Sequence, residues 1–422
     1  MRKIIVLFLL ANLALQAQNI SFPNYFTSKT MRVDYIHTGG MQSESVFLQE
    51  IKQEPFWGGS QINLIDTFGY GEYSFRVYDK ASGQLIYSKG YNTLFQEWKT
   101  YPEAKEIQKS FYESICFPYP QKEIKLEILK REKGNKYNTI FSYSIKPNDF
   151  MIKKEKPIPY ESFKILYNGE SKNKVDIVFL FDGYSQKDSA KLYKDAERFA
   201  NYLWSYSPFK ENKERFNIWG IASFSAESGT DIPGENIWKN TLFNTSFYTF
   251  RTERYLTTQD VKTVRDVAAN VPYDQIYIIV NTDKYGGGGI YNFWNIVAAD
   301  NYMAKYVFLH EFGHGFAGLA DEYVDEGTPQ DFYEKNIEPW EPNITNLVNF
   351  EKKWKKDLAP KTPIPTPEND TYKDSIGVFE GAGYVAKGIY RAYQNCEMRS
   401  LKQGFCPVCK NAITNIILFN SK

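Results

Sequence analysis

Histidine is nearly missing from this chain, with three residues in 422, and cysteine is scarce at four. So few cysteines cannot staple a protein of this length, which excludes a disulfide scaffold and leaves a hydrophobic core to hold the fold. There is no excess of one charge: 51 Lys and Arg stand against 50 Asp and Glu, a net charge of +1. That balance excludes a polybasic surface for nucleic acid or for an anionic membrane. No apolar run approaches the roughly twenty residues a membrane-spanning helix needs. Internal repeats and low-complexity tracts are also missing, which excludes solenoid architectures.

What is present is ordinary globular material, 42% hydrophobic and 24% charged. Aromatic residues reach 17%, including 32 Tyr and 31 Phe, a composition suited to β-rich packing or to peptide and sugar contacts. The length exceeds what one core usually serves and predicts two domains. Arg2 and Lys3 precede an apolar run from Ile4 to Leu15, followed by Gln16-Ala17-Gln18. This is the layout of a secretory signal peptide over residues 1–17, cleaved near Ala17. No cysteine follows for lipid attachment. The expected location is therefore outside the cytoplasm: secreted, periplasmic or at the cell surface of a bacterium.

Residues 20–152 alternate apolar and polar positions in short runs such as Tyr73-Phe75-Val77 and Ile124-Leu126-Ile128, with Val46 and Leu48 as a shorter case. Period-two runs separated by Gly and Asn turns predict an antiparallel β-sandwich. Glu103 to Cys116 interrupts the pattern and reads as a short helix or a long connection. Lys153 to Tyr160, rich in proline and charge, reads as a linker. Beyond it the pattern changes. Val175 to Phe181, Asn217 to Phe224 and Gln275 to Val280 are buried-strand candidates, a helical pattern covers Lys187 to Leu203, and a second helix is expected from Asp300 to Gly315. Residues 160–422 should thus form an α+β or α/β domain with a mixed sheet. Ala359 to Asp370, with four prolines, should be an irregular surface loop.

Two of the three histidines fall on the second helix, in His310-Glu311-Phe312-Gly313-His314. Positions four apart face the same way on a helix, so both imidazoles can reach one metal ion, zinc above all. Glu311 follows the first ligand directly, where its carboxylate can take a proton from an attacking water. A third ligand is required, and His37 lies in the other predicted domain. The run Gly315-Phe316-Ala317-Gly318-Leu319-Ala320-Asp321-Glu322-Tyr323 supplies acidic candidates. On an unbroken helix Asp321 would lie roughly 10 Å beyond His314 along the axis, so Gly318 must end the helix in a left-handed turn. Asp321 is the expected third ligand, with Glu322 as the alternative.

The string His310 to Tyr323 resembles the active-site motif of the IgA-peptidase family of bacterial zinc endopeptidases. Phe181-Asp182-Gly183-Tyr184, Glu227-Ser228-Gly229-Thr230-Asp231 and Cys396-Glu397-Met398-Arg399-Ser400 also resemble that family's pattern, over about residues 160–420. The resemblance implies a zincin-like peptidase domain preceded by a β-sandwich, acting on a protein or peptide. It transfers no substrate, and the β-sandwich is a candidate for binding protein or glycan. Met398 resembles the methionine turn beneath the metal in metzincins, although an Asp and a shifted glycine depart from the usual spacing of the third ligand. Gly287, Gly288 and Gly289 resemble a zincin edge strand that pairs with substrate, glycines allowing close approach of a peptide, and read equally as a flexible hairpin loop. Tyr390, Arg391 and Tyr393 are candidate donors for the oxyanion. Cys396 is expected to form a disulfide with Cys406 or Cys409. A structural zinc lacks an obvious fourth ligand, and buried reduced thiols are the third option.

The expected activity is hydrolysis of a peptide bond with zinc as cofactor and Glu311 as general base. Two rivals come from other classes: a glycan- or protein-binding module with a silent peptidase-like domain, and a metal amidase acting on cell-wall peptides.

Overall fold

A computed structural model describes residues 20–132 and 134–422. The expected signal segment, residues 1–17, lies outside the described residues.

The first part of the chain runs through α1 (Phe22–Tyr25), β1 (Phe26–Gly40), β2 (Ser43–Glu54), β3 (Tyr73–Asp79), β4 (Leu85–Tyr91), α2 (Leu94–Trp98), β5 (Lys109–Pro120), β6 (Ile124–Glu132) and β7 (Lys136–Ile145). The strands form two antiparallel sheets, ordered β2-β1-β5 and β4-β3-β6-β7. Val33 and Tyr35 of β1 with Ile115 and Phe117 of β5 share one core with Phe75 and Val77 of β3 and Leu126 and Ile128 of β6. This is the expected sandwich.

The segment Glu103 to Cys116 departs from the expectation of a helix or connection, because from Lys109 onward it is strand β5, paired with β1. Its apolar residues do not alternate because both faces are covered. Ile115 and Phe117 enter the sandwich core, while on the opposite face Tyr112 packs against the core of the second part and Cys116 Sγ lies 3.8 Å from the Tyr273 hydroxyl. A strand buried on both faces loses the period of two that would have betrayed it.

The second part contains β8 (Ser162–Leu166), β9 (Val175–Asp182), α3 (Ser189–Leu203), β10 (Phe216–Ile221), α4 (Val261–Ala268), β11 (Gln275–Val280), β12 (Gly287–Ile290), β13 (Trp294–Ala298), α5 (Ala304–Ala317), β14 (Ile344–Thr345), β15 (Phe379–Ala382), β16 (Val385–Arg391) and α6 (Pro407–Asn420). Six strands form a mixed sheet in the order β12-β13-β11-β9-β10-β8. Strands β13, β11, β9 and β10 run parallel, and β12 and β8 pair antiparallel at the ends. Central β9 is buried throughout, as its apolar run predicts. Ile177, Phe179 and Phe181 face α3, α5 and α6, while Val178 and Leu180 face α4 and the shared core. The loop over residues 359–369 holds neither helix nor strand, as its prolines require.

Two charged clusters inside this architecture are structural, one around Asp182 and one around Arg32. Asp182, at the end of β9, accepts from the Phe243 amide at 2.9 Å and from the hydroxyls of Thr241 at 2.9 Å and Thr245 at 2.5 Å. It thereby anchors the long loop after β10. Gly183 follows in a left-handed conformation, and a Cβ there would sit 1.9 Å from the Gly229 carbonyl oxygen, so only glycine lets these two quoted motifs make contact. Across the two parts, fully buried Arg32 of β1 pairs with Asp34 at 2.9 Å, Glu54 at 3.0 Å and Asp266 of α4 at 2.7 Å. Three carboxylates around one guanidinium offset its desolvation and tie the sandwich to the mixed sheet.

Candidate metal centre

Helix α5 exists because Phe308, Phe312 and Phe316 recur every four residues and bury one face against the sheet, with Phe312 and Phe316 stacked at 4.8 Å. His310, Glu311 and His314 lie on the other side. The helix ends where Gly318 adopts φ 62°, the left-handed turn required to bring Asp321 back. The Gly318 amide donates to the His314 carbonyl at 3.0 Å and the Leu319 amide to the Gly313 carbonyl at 3.1 Å, closing the last turn.

The returning chain delivers Asp321 to both histidines. His310 Nε2 lies 3.1 Å from His314 Nε2 and 3.1 Å from Asp321 Oδ1, and His314 Nε2 lies 3.4 Å from the same oxygen. The other ring nitrogens are engaged: His310 Nδ1 donates to the Glu397 carbonyl at 3.0 Å and His314 Nδ1 to the Leu319 carbonyl at 2.6 Å. With both Nδ1–H groups spent on carbonyls, each Nε2 turns a lone pair inward. Three electron-pair donors therefore converge, and Asp321 Oδ1 is buried without a hydrogen-bond partner. Ligands on a tetrahedral ion at about 2.0–2.1 Å would stand roughly 3.3 Å apart, so the triangle fits a divalent cation. His37 takes no part. It is buried in the sandwich, bonded to Glu113 at 2.9 Å and stacked on Phe95 at 3.9 Å.

Without a cation, protons must answer the same clash. Burial alone would lower the pKa of His314, but the adjacent Asp321 carboxylate reverses this and raises it to about 9. His310 moves in the same direction against the same burial. Burial would raise Asp321, yet the two imidazoles hold it far below the usual carboxylate range. Burial pushes Glu311 up, opposed by the histidine charges. A histidine raised above its ordinary value of about 6.5 contributes stability that is complete below that value and is lost as pH rises through about 9. In metal-stripped protein, the difference in melting temperature between the parent and His314→Gln should shrink over that window. A difference that stayed constant would contradict the His314–Asp321 pair.

The profile described as IgA Peptidase M64 matches residues 163–375 and 368–417, and the one described as Peptidase M64 N-terminus matches residues 21–142. The chain belongs to the M64 peptidase family. It is accordingly a peptidase of metallopeptidase type. No curated protein matches it.

In this peptidase the other expected site residues fall in different places. Met398 is fully buried, with its sulfur beneath α5, 2.7 Å from where a Cβ on Gly313 would stand, and its carbonyl accepts the Glu322 amide at 2.8 Å. Glu322 points away from the histidines, into the cluster of Cys396, Cys406 and Cys409. The three cysteines are not bridged. Tyr390 lies on β16, paired across the strands with Glu380 and Thr345. Arg391 is committed to the Glu380 and Gly381 carbonyls and to Glu368. Neither reaches the histidines through any of these bonds.

Gly287, Gly288 and Gly289 form the terminal strand β12 along α5, but the reason for the glycines differs from the expectation. A Cβ on Gly289 would sit 2.3 Å from the Glu311 carbonyl oxygen, one on Gly287 would sit 2.7 Å from Val307, and one on Gly288 would sit 2.7 Å from the Tyr255 ring. The glycines let α5 and Tyr255 approach the strand from both faces. On its outer edge, Gly287 O already accepts the Leu256 amide at 3.3 Å.

Three partners, Tyr384, Arg254 and Glu97, carried no signal in sequence. Tyr384 donates its hydroxyl to Asp321 Oδ2 from a residue in the left-handed region, φ 70°. Tyr323 accepts from Arg254 at 3.1 Å, and the Arg254 charge acts on Glu311. Glu97, from α2 of the sandwich part, accepts from Tyr255 at 2.5 Å; burial, reinforced by the charge of Glu311, pushes it up to about 7. Only the fold brings these side chains in from distant sequence. Tyr384→Phe should cost about 10–100-fold in metal affinity or in kcat/KM, the usual effect of releasing a ligand from its hydrogen-bond partner. Chelator competition and steady-state cleavage measure it, and an unchanged variant would strip Tyr384 of that role.

Proposed function

We propose that this chain is a zinc-dependent endopeptidase in which His310, His314 and Asp321 hold the metal and Glu311 is the general base. The observation that carries this reading is the convergence of two imidazole lone pairs and a partnerless buried carboxylate oxygen on one point. When bound, zinc would polarise the scissile carbonyl and make water acidic enough to attack near neutral pH.

The remaining work belongs to the chain. Glu311 lies against Gly287 on one side and is exposed to the histidine charges on the other. There its carboxylate would take a proton from the attacking water and return it to the leaving amine. Burial holds its pKa above the ordinary carboxylate value, which strengthens it as a base for the first transfer. Tyr323 with Arg254 takes over from Tyr390, Arg391 and Tyr393 as the candidate donor to the developing oxyanion, because its surroundings include Asp321 and Glu311. Beyond Gly287, whose carbonyl is taken by the Leu256 amide, the β12 edge would receive the substrate backbone as an added strand.

The amino-terminal pattern supports export of the mature protein. The sandwich is proposed to contact protein or glycan as well as to buttress β12 through Glu97. Digestion of a peptide library with and without chelator tests the reading. Internal cleavage that chelator stops and zinc restores is expected. Products only from cross-linked cell-wall peptides would replace it with an amidase, and no cleavage in either condition with a binding module.

A further inference from the structure

The three cysteines near the carboxyl end, which the peptidase reading does not use, meet a fourth group that sequence spacing does not reveal. Cys396, Cys406, Cys409 and Glu322 are all buried, and one ligand atom from each lies within 4.8 Å of every other. Cys396 Sγ stands 3.6 Å from Cys409 Sγ, and Cys409 Sγ stands 3.4 Å from Glu322 Oε1. A disulfide would need about 2.05 Å. Thiolates on a tetrahedral zinc at about 2.3 Å are separated by roughly 3.8 Å, and a thiolate and a carboxylate oxygen by roughly 3.6 Å. The spacing is that of an ion's ligands.

Further observations point the same way. Glu322 is completely buried, its Oε2 has no hydrogen-bond partner, and Asn343 Nδ2 orients Oε1 at 2.9 Å. The Cys406 amide points at Cys396 Sγ at 3.3 Å and the Cys409 amide at Cys406 Sγ at 3.5 Å, as amides do toward sulfur carrying negative charge. Cys406-Pro407-Val408-Cys409 has the two-residue spacing of thiolate pairs in structural zinc sites. Cys406 also caps the amino end of α6, where a thiolate is favoured.

We propose that Cys396, Cys406, Cys409 and Glu322 bind a second zinc ion in a closed structural site, separate from the centre formed by His310, His314 and Asp321. Each thiol releases its proton to solvent as its sulfur binds, and Glu322 binds as carboxylate. All four positions are then filled by protein, so this site has no place for substrate. Its effect is mechanical. It clamps Glu322, next to Asp321, to the segment 396–409, which places Met398 under α5 and the Glu397 carbonyl on His310 Nδ1. Bound thiolates are also protected from oxidation should the protein be exported.

Elemental analysis of the purified full-length chain tests this independently of the peptidase reading. The expected content is two zinc ions per parent chain and one in His310→Ala/His314→Ala. Titrating that histidine variant with an organomercurial should release its zinc in step with three thiols, and Cys406→Ser/Cys409→Ser should lose one ion relative to the parent. The organomercurial titration decides the matter even if the serine variant does not fold. A folded histidine variant without zinc, or a non-reduced intact mass two hydrogens light in the parent, would overturn the second site. A parent holding one ion that survives the histidine substitutions would sustain this site and sink the catalytic one.

Discussion

Glu311→Gln should keep its zinc and lose between about 10²- and 10⁴-fold in kcat/KM, the share a positioned general base supplies. The substitution keeps side-chain length and removes only the ability to take a proton. Glu311 is not among the three converging groups, so the proposed ligand set stays intact. Its backbone carbonyl, which packs against Gly289, is also unaffected. Zinc content by elemental analysis and cleavage of a fluorogenic peptide read the two quantities separately. A variant as fast as the parent would remove Glu311 from the reaction, and one lacking zinc would make it a ligand.

Asp321→Ala should do the reverse and fail at the level of the ion. The substitution removes one of the three proposed ligand atoms and strands the half-buried Tyr384 hydroxyl, which now donates to Asp321. The loss of zinc affinity should exceed the roughly 10–100-fold expected when a ligand merely loses its supporting hydrogen bond. Activity should fall in parallel and recover in part with excess zinc. Competition against a chromophoric chelator gives the affinity directly. If Asp321→Ala bound zinc as tightly as the parent, the third ligand would have to be sought elsewhere, and Glu322 is already turned toward the cysteines.

The helix and turn that make up the candidate metal centre were the most legible part of this molecule, because helical spacing is local geometry: His310 and His314 must share a face, and a left-handed Gly318 was the only way to return an acidic residue to them. The sandwich and the buried strand β9 were legible for the same reason. What escaped depended on partners far away in sequence. Strand β5 looked helical or irregular until both of its faces found cores. The glycines of β12 were read for an incoming peptide, whereas α5 and Tyr255 fill the space a side chain would need. Tyr384 comes sixty-three residues after the aspartate it supports, and Glu322 meets cysteines at least seventy-four positions on. Periodicity has no reach over such separations.

The core that Phe95, Trp98 and Phe111 share with Val178, Leu180, Ile276 and Ile278 sets a limit on dissecting the protein. A fragment starting at the peptidase half would leave a greasy patch open to water on the back of its central sheet and would lose Glu97 from behind Tyr255. The sandwich is thus a supporting wall of the catalytic half, and cutting the chain between the two would damage both.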